Sequence, residues 1–267
     1  MMKKILLTGA TDGIGLETAK QLAAQGHYLL IHGRSESKLA DTEKTLKQLS
    51  PNATIESYRA DLSSFSETRA MLNAIVESHS ALDIIINNAG VYKTPEPITT
   101  DGFDIRFVVN TLAPYIIAQA LLPTLADDGR IINLSSAGQA PVNLAALAGQ
   151  QTINDPFQAY AESKLAITMW SIELAESLKP EQVILAVNPG SLLASKMVKE
   201  GFGVEGHDLK IGADILVRAA LSAEFNNDSG KYFDNDAKQL AAPHADALDV
   251  NKRKELIKVI ETIIEKY

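Results

Sequence analysis

Tyr160 and Lys164 stand four residues apart in Tyr160-Ala161-Glu162-Ser163-Lys164, a spacing that sets both side chains on one face of a helix. An ammonium beside a phenol favours the phenolate, so the pair predicts a tyrosine easier to ionise than its ordinary pKa of about 10 implies. Such a group can give or take a proton near neutral pH. Upstream lies a glycine-rich turn, Thr8-Gly9-Ala10-Thr11-Asp12-Gly13-Ile14-Gly15, between an apolar run and a helical pattern. Glycines there let the backbone approach a pyrophosphate while the helix N-terminus faces its charge. The second apolar run ends in His32-Gly33-Arg34-Ser35. Gly33 offers no carboxylate to a ribose hydroxyl or against a phosphate, whereas the Arg34 guanidinium and Ser35 hydroxyl suit phosphate recognition. The segment therefore predicts NADP(H) in preference to NAD(H).

Positioning these residues requires strands that alternate with longer helices, the pattern of a parallel sheet with crossover helices. Strands are expected at Lys3–Thr8, Tyr28–His32, Thr54–Arg59, Leu82–Asn87, Arg130–Leu134, Val183–Asn188 and Lys231–Phe233. Helices are expected at Ile14–Gln25, Glu36–Leu49, Ser64–Ser78, Gly102–Leu125, Gln158–Leu178, Ile211–Leu221 and Asp246–Glu265. Ser64 and Glu67 have capping-box spacing. No repeat or linker divides the chain, so residues 1–267 read as one α/β domain: a doubly wound, Rossmann-like parallel sheet of about seven strands with helices on both faces.

Composition narrows the function. A formal charge of -8 disfavours nucleic acid or an anionic membrane surface as partner. The absence of cysteine removes disulfides and thiol nucleophiles, and the five histidines show no ligand spacing, so no metal is expected. Met1-Met2-Lys3-Lys4-Ile5-Leu6-Leu7 has too short an apolar run for a signal peptide and reads as the first strand. No apolar stretch is expected to approach a membrane span, which places the protein in the cytoplasm.

In order along the chain, these motifs resemble the short-chain dehydrogenase/reductase family. The resemblance covers the chain to about Phe233 and rests on Thr8 to Gly15, Asp61-Leu62, Asn87-Asn88-Ala89-Gly90, Asn110, Ser135-Ser136, Tyr160 with Lys164, and Pro189-Gly190-Ser191. It implies hydride transfer between a nicotinamide and a small-molecule carbonyl or alcohol, usually in a homodimer or homotetramer. It also implies that Asp61 contacts the adenine, that Lys164 holds the nicotinamide ribose, and that Asn110 links Lys164 to a proton relay. Carbonyl reduction needs a proton or hydrogen-bond donor at the developing alkoxide, a role for Tyr160. Ser136, at a strand's C-terminal end, can bond the same oxygen, and the family places its reactive serine second in the pair with Ser135.

Departures from the family pattern bear on substrate. The interval Gln139–Gln158 is longer than in many members, and its Pro141, Leu144 and Leu147, with Phe157, suggest either the lining of a site for a hydrophobic aldehyde, ketone or retinoid-like alcohol or a surface loop with small-residue packing. Where the family has a nicotinamide-contacting threonine, Ser191 and Ser195 are the alternatives. Lys196–Asp208, rich in glycine, reads as a lid. Leu165, Ile167, Trp170, Ile172 and Leu174 suggest either a subunit interface or a core helix. A silent NADP-binding sensor is the competing function, disfavoured by the presence of both Tyr160 and Lys164.

Overall fold

Each apolar run adds a strand to one sheet. The computed structural model describes residues 1–194, 198–199 and 203–267. In it the strands are β1 (Lys4–Leu7), β2 (Tyr28–Gly33), β3 (Ile55–Arg59), β4 (Leu82–Asn87), β5 (Leu125–Leu134), β6 (Val183–Asn188), β7 (Lys231–Asp234) and β8 (Gln239–Ala241). They lie in the order β3-β2-β1-β4-β5-β6-β7-β8, parallel except for the β7/β8 pair. The eighth strand went unread because it is three residues long and largely exposed, without a buried alternation to mark it.

Strand side chains alternate between two cores, as the pleat requires. Leu6, Leu30, Ile85, Ile131 and Ile184 face one layer. Ile5, Leu7, Ile31, Ile86 and Leu185 face the other. The first layer is covered by α3 (Phe65–Ser78), α5 (Ala113–Leu121), α7 (Pro156–Ala175) and α10 (Val250–Ile264). The second is covered by α1 (Gly13–Ala24), α2 (Glu36–Leu49) and α8 (Leu209–Leu221). With both faces buried, parallel strands read as continuous apolar runs, which is why these were legible.

The helix expected over Gly102–Leu125 is interrupted. It begins with α4 (Ile105–Phe107), capped by the Asp104 carboxylate, passes through a π-turn at Val108–Leu112, and ends after α5 in a tight turn at Leu122–Thr124. Strand β5 then starts at Leu125 rather than Arg130. The expectation that no apolar stretch approaches a membrane span is also corrected: Ile105–Thr124 spans 20 residues with mean hydropathy 1.5, although 78% of that window is buried inside the fold. A short α6 (Leu144–Leu147) interrupts the 139–158 loop, and the last expected helix divides into α9 (Ala245–Leu248) and α10.

The apolar side chains of α7 are satisfied within the chain. Trp170 is fully buried, its ring edge-on to Tyr115 at 5.5 Å. Helices α9 and α10 pack on α7, with Arg253 donating to Glu173 at 2.8 Å. Of the two readings of that helix, the core one describes Trp170, and the stripe no longer argues for subunit pairing.

Candidate active site

The strand order reverses between β1 and β4, and in open α/β sheets ligands bind beyond the strands' carboxyl ends at such a point. A cleft of about 480 Å³ opens there, a size typical of ligand sites at roughly 300–1,000 Å³. Its floor is a tight junction of the first turn with the end of β4. The Thr8 hydroxyl accepts from the amides of Asn88 and Ala89 at 3.0 and 3.1 Å, and the Asn88 side-chain amide donates to the carbonyls of Thr8 and Gly9 at 2.9 and 3.1 Å. Thr8 thus braces the turn from beneath the cleft. A Cβ at Gly15 would lie 2.1 Å from the Gly9 carbonyl oxygen, and Gly9 itself has φ +66°, so glycine is required at both positions. The Asp12 carboxylate caps α1 through the Gly13 amide at 2.8 Å.

Beside this turn His32, which the sequence reading did not single out as a site residue, joins the cleft wall. Its Nδ1 accepts from the Gly9 amide at 3.2 Å and its Nε2 faces the Ala60 carbonyl at 3.0 Å. A donor on one side and an acceptor on the other fix the neutral Nε2–H tautomer. Burial accordingly pushes its pKa down to about 4.

At the far end stand Gly33, Arg34, Ser35 and a further cation, Lys38. Gly33 abuts Thr11, whose Cγ2 would lie 2.6 Å from a Cβ there, so the carboxylate side chain of an NAD-selective site has no room. Arg34 is exposed and makes no ion pair with a described residue. Lys38 pairs with Asp12 at 3.4 Å. Ser35 caps α2. Asp61 and Leu62 line the wall, with the Asp61 carboxylate accepting from the Ser63 amide and hydroxyl at 2.9 and 2.8 Å.

Tyr160 and Lys164 close the opposite end of the cleft. The Ser136 hydroxyl lies near enough to the Tyr160 phenol to lower its pKa, whereas the Ser135 hydroxyl is occupied with Thr168 at 2.6 Å and the Lys164 carbonyl at 3.1 Å. Of the two serines Ser135 lines the cleft, while Ser136 is the one that acts on the phenol. Lys164 is 4% exposed, and its ammonium donates to the Leu134 carbonyl at 2.7 Å, over the Tyr160 ring at 5.7 Å from the centroid. Burial lowers its pKa to about 7. Burial also raises Tyr160, partly opposed by the nearby Ser136 hydroxyl. The expectation of an easily ionised phenol is therefore corrected: desolvation, with Tyr92 beside it, outweighs the lowering effect of Ser136, and Tyr160 is held protonated.

Asn110 sits within the π-turn, away from the lining. Its side chain brackets Val91, accepting from that amide at 2.8 Å and donating to its carbonyl at 2.9 Å, and donates to the Ser163 hydroxyl at 3.0 Å. It ties the segment after Asn88-Ala89-Gly90, all three in the cleft wall, to α7.

Pro189 lines the cleft, but Gly190 and Ser191 do not. Ser191 is bound through its amide and hydroxyl to Asp236, at 2.9 and 2.6 Å. Ser195 and most of the glycine-rich start of the expected lid lie outside the described residues. Of the two readings of the long 139–158 loop, cleft lining is not the one seen: none of its residues lines the cleft. Leu147 is fully buried in the core and Pro141 is exposed, because the loop folds onto the C-terminal helices instead of over the opening. Phe157 reaches the site only by touching Tyr92 edge-on at 6.5 Å. The residues beside Tyr160 are Val91, Tyr92, Ile105 and Val109, and Tyr92 packs against the Tyr160 ring at 5.3 Å. They were missed because each reads as ordinary core; their nearness to the NNAG segment and to Asn110 was the available signal.

The profile of the short chain dehydrogenase family matches residues 3–203. The chain is 30% identical to retinol dehydrogenase 13 of Homo sapiens over 270 residues, 94% of this chain and 82% of that one. It is 33% identical to retinol dehydrogenase 12 of Bos taurus over 257 residues, 91% and 81% of the two chains. Among solved structures, a short chain dehydrogenase from Shigella flexneri complexed with NADP superposes with TM-score 0.69 at 25% identity, covering 88% of this chain and 97% of that one. Motif order, sheet topology, the cleft and these likenesses agree: the chain belongs to the short chain dehydrogenase family of oxidoreductases.

Proposed function

We propose that the protein is an NADP(H)-dependent oxidoreductase that interconverts an apolar aldehyde or ketone with its alcohol. The observation that carries this reading is a single cleft with a phosphate-suited corner at Arg34 and, at its other end, a protonated Tyr160 beside Lys164. The cradle fits a dinucleotide: Gly9, Thr11, Asp12, Gly13, Ile14 and Gly15 all line the cleft at the start of α1, and a Cβ at Gly9 or Gly15 would strike Ala89, Asn88 or the Gly9 carbonyl and displace the turn. Gly13 and Ile14 at the start of α1 would hold the pyrophosphate, with Thr11 and Asp12 beside them, and Arg34, Ser35 and Lys38 the additional phosphate. Asp61 and Leu62 would hold the adenine. Asn88, Ala89, Gly90, Tyr160, Lys164 and Pro189, with Gly190 and Ser191 behind, would hold the nicotinamide half.

When bound, NADPH supplies the hydride. Tyr160 donates its proton to the carbonyl oxygen, and Ser136 hydrogen-bonds the same oxygen while orienting the phenol. Lys164 places a titratable ammonium next to Tyr160, and Asn110 keeps the Val91 wall in register with α7. Val91, Tyr92, Ile105 and Val109 give the substrate end its apolar character, and the retinol dehydrogenases among the relatives are named for an apolar alcohol.

A series of straight-chain aldehydes from butanal to decanal tests the substrate class. Each buried methylene is worth about 0.8 kcal/mol, so kcat/KM should rise up to roughly fourfold per carbon before levelling off. A flat series, or a preference for charged aldehydes, rules out the apolar assignment.

Replacing Arg34 by Ala tests the cofactor. Hydrogen bonds to charged groups contribute about 1.5–3 kcal/mol, so NADPH affinity should fall roughly 10- to 100-fold while NADH affinity changes little. Equal losses for both cofactors would remove the phosphate role from Arg34.

A further inference from the structure

Ser136 lies just beyond β5, outside any regular element, yet its hydroxyl must stay against Tyr160. Its carbonyl accepts two hydrogen bonds, from the Tyr232 phenol at 3.1 Å and from the Gln139 side-chain amide at 3.0 Å. Its own hydroxyl accepts from the Gly138 amide at 3.1 Å, closing the turn. The Gln139 side-chain oxygen in turn accepts from the His244 amide at 3.0 Å, and His244 caps α9 through Nδ1 at 3.2 Å from the Asp246 amide. Tyr232 is 5% exposed and anchored on β7, where it pairs with Ala186. Both Tyr232 and His244 lie beyond the 3–203 stretch that the family profile matches.

From this arrangement we infer that Tyr232 and Gln139 are positioning residues that hold Ser136 in line with Tyr160, and that through His244 the C-terminal segment is part of the active site. The inference rests on the role assigned above to Ser136. Geometry gives the clamp its direction: the two donors reach the same carbonyl from separate elements, one on β7 and one tied to the segment leading into α9, so the serine backbone cannot rotate without breaking both. Burial, with Asp234 and Asp236 nearby, holds the Tyr232 phenol well above the ordinary tyrosine range, so it remains a donor throughout the working pH range. A clamp of this kind acts on turnover and not on cofactor affinity, since neither residue lines the cleft.

The test is a double-mutant cycle of Tyr232→Phe and Ser136→Ala in the full chain, with decanal as substrate and NADPH affinity measured in parallel. Ser136→Ala should lower kcat on the order of 10²-fold. Tyr232→Phe, which deletes one donor and keeps the ring, should lower kcat about tenfold, with KM and NADPH affinity within about twofold. If Tyr232 acts through Ser136, the double variant is no slower than Ser136→Ala alone. Multiplicative losses, or an unchanged kcat for Tyr232→Phe beside an impaired Ser136→Ala, overturn the clamp. An unimpaired Ser136→Ala instead overturns the role of Ser136 itself.

The same cycle can be read without substrate on the ¹³Cζ signal of Tyr160, assigned by its loss in Tyr160→Phe. Ser136→Ala and Tyr232→Phe should shift the signal in one direction, with no further shift in the double variant. Gln139→Ala supplies the second arm and should move the signal the same way; a signal moved by Ser136→Ala and by neither clamp variant contradicts the proposal.

Discussion

Tyr160→Phe should lower kcat for carbonyl reduction on the order of 10²- to 10⁴-fold, the range for loss of a positioned general acid, while leaving NADPH affinity within about threefold. The asymmetry follows from the site. The phenol is held protonated by burial and packed edge-on against Tyr92, so removing its oxygen leaves the ring packing in place and takes away only the transferable proton. The direction of the shift adds a second readout. A phenol raised above its ordinary value stays protonated and ready to donate from pH 7 to 9, so wild-type reduction should fall across that range only with the loss of the Lys164 ammonium, whose pKa is about 7, whereas alcohol oxidation with NADP⁺, which needs the phenolate, should fall less over the same range. Stopped assays in both directions check this, and full reductase activity in the Phe variant would remove Tyr160 from the chemistry.

Lys164→Met should have the second large effect, with opposite signs on activity and stability. Taking the ammonium from beside Tyr160 should cost kcat on the order of 10²- to 10³-fold. Stability should rise. The folded-state pKa of about 7 lies below the ordinary lysine value of 10.5, so between these values the unfolded chain binds the extra proton. Wild-type stability is therefore penalised most below pH 7 and recovers as pH climbs toward 10.5. One pKa unit corresponds to 1.36 kcal/mol, so at pH 7 the penalty is roughly 4 kcal/mol, and between pH 7 and 9 it falls by about 2 kcal/mol. Urea unfolding at those two pH values should show the variant more stable at pH 7 and its advantage shrinking at pH 9. An advantage independent of pH would mean that Lys164 titrates normally.

Most of the parallel sheet could be read from the chain because strands buried on both faces are long apolar runs, and the motifs at their carboxyl ends gave the cleft wall from Gly9 to Lys164. What stayed hidden has physical reasons. Strand β8 is too short and too exposed for a period of two. The π-turn around Asn110 leaves the apolar pattern of its helix unbroken, so only the backbone shows it. Composition left the 139–158 loop open between cleft lining and surface, yet Leu147 is buried in the core, since the C-terminal helices that receive the loop are remote in sequence. The phenol shift was misjudged for a related cause: four-residue spacing shows that Tyr160 and Lys164 share a face, but not that both are desolvated and that Nζ is turned to the Leu134 carbonyl.

NADPH-dependent carbonyl reduction at Tyr160 is tested by a fluorescence titration of the purified protein with NADPH and with NADH, followed by addition of aldehydes and ketones while nicotinamide oxidation is recorded. The result expected is tighter binding of NADPH than NADH and its oxidation by an apolar carbonyl in wild type but not in Tyr160→Phe. Equal binding of the two cofactors, or turnover that survives in the Phe variant, would contradict it.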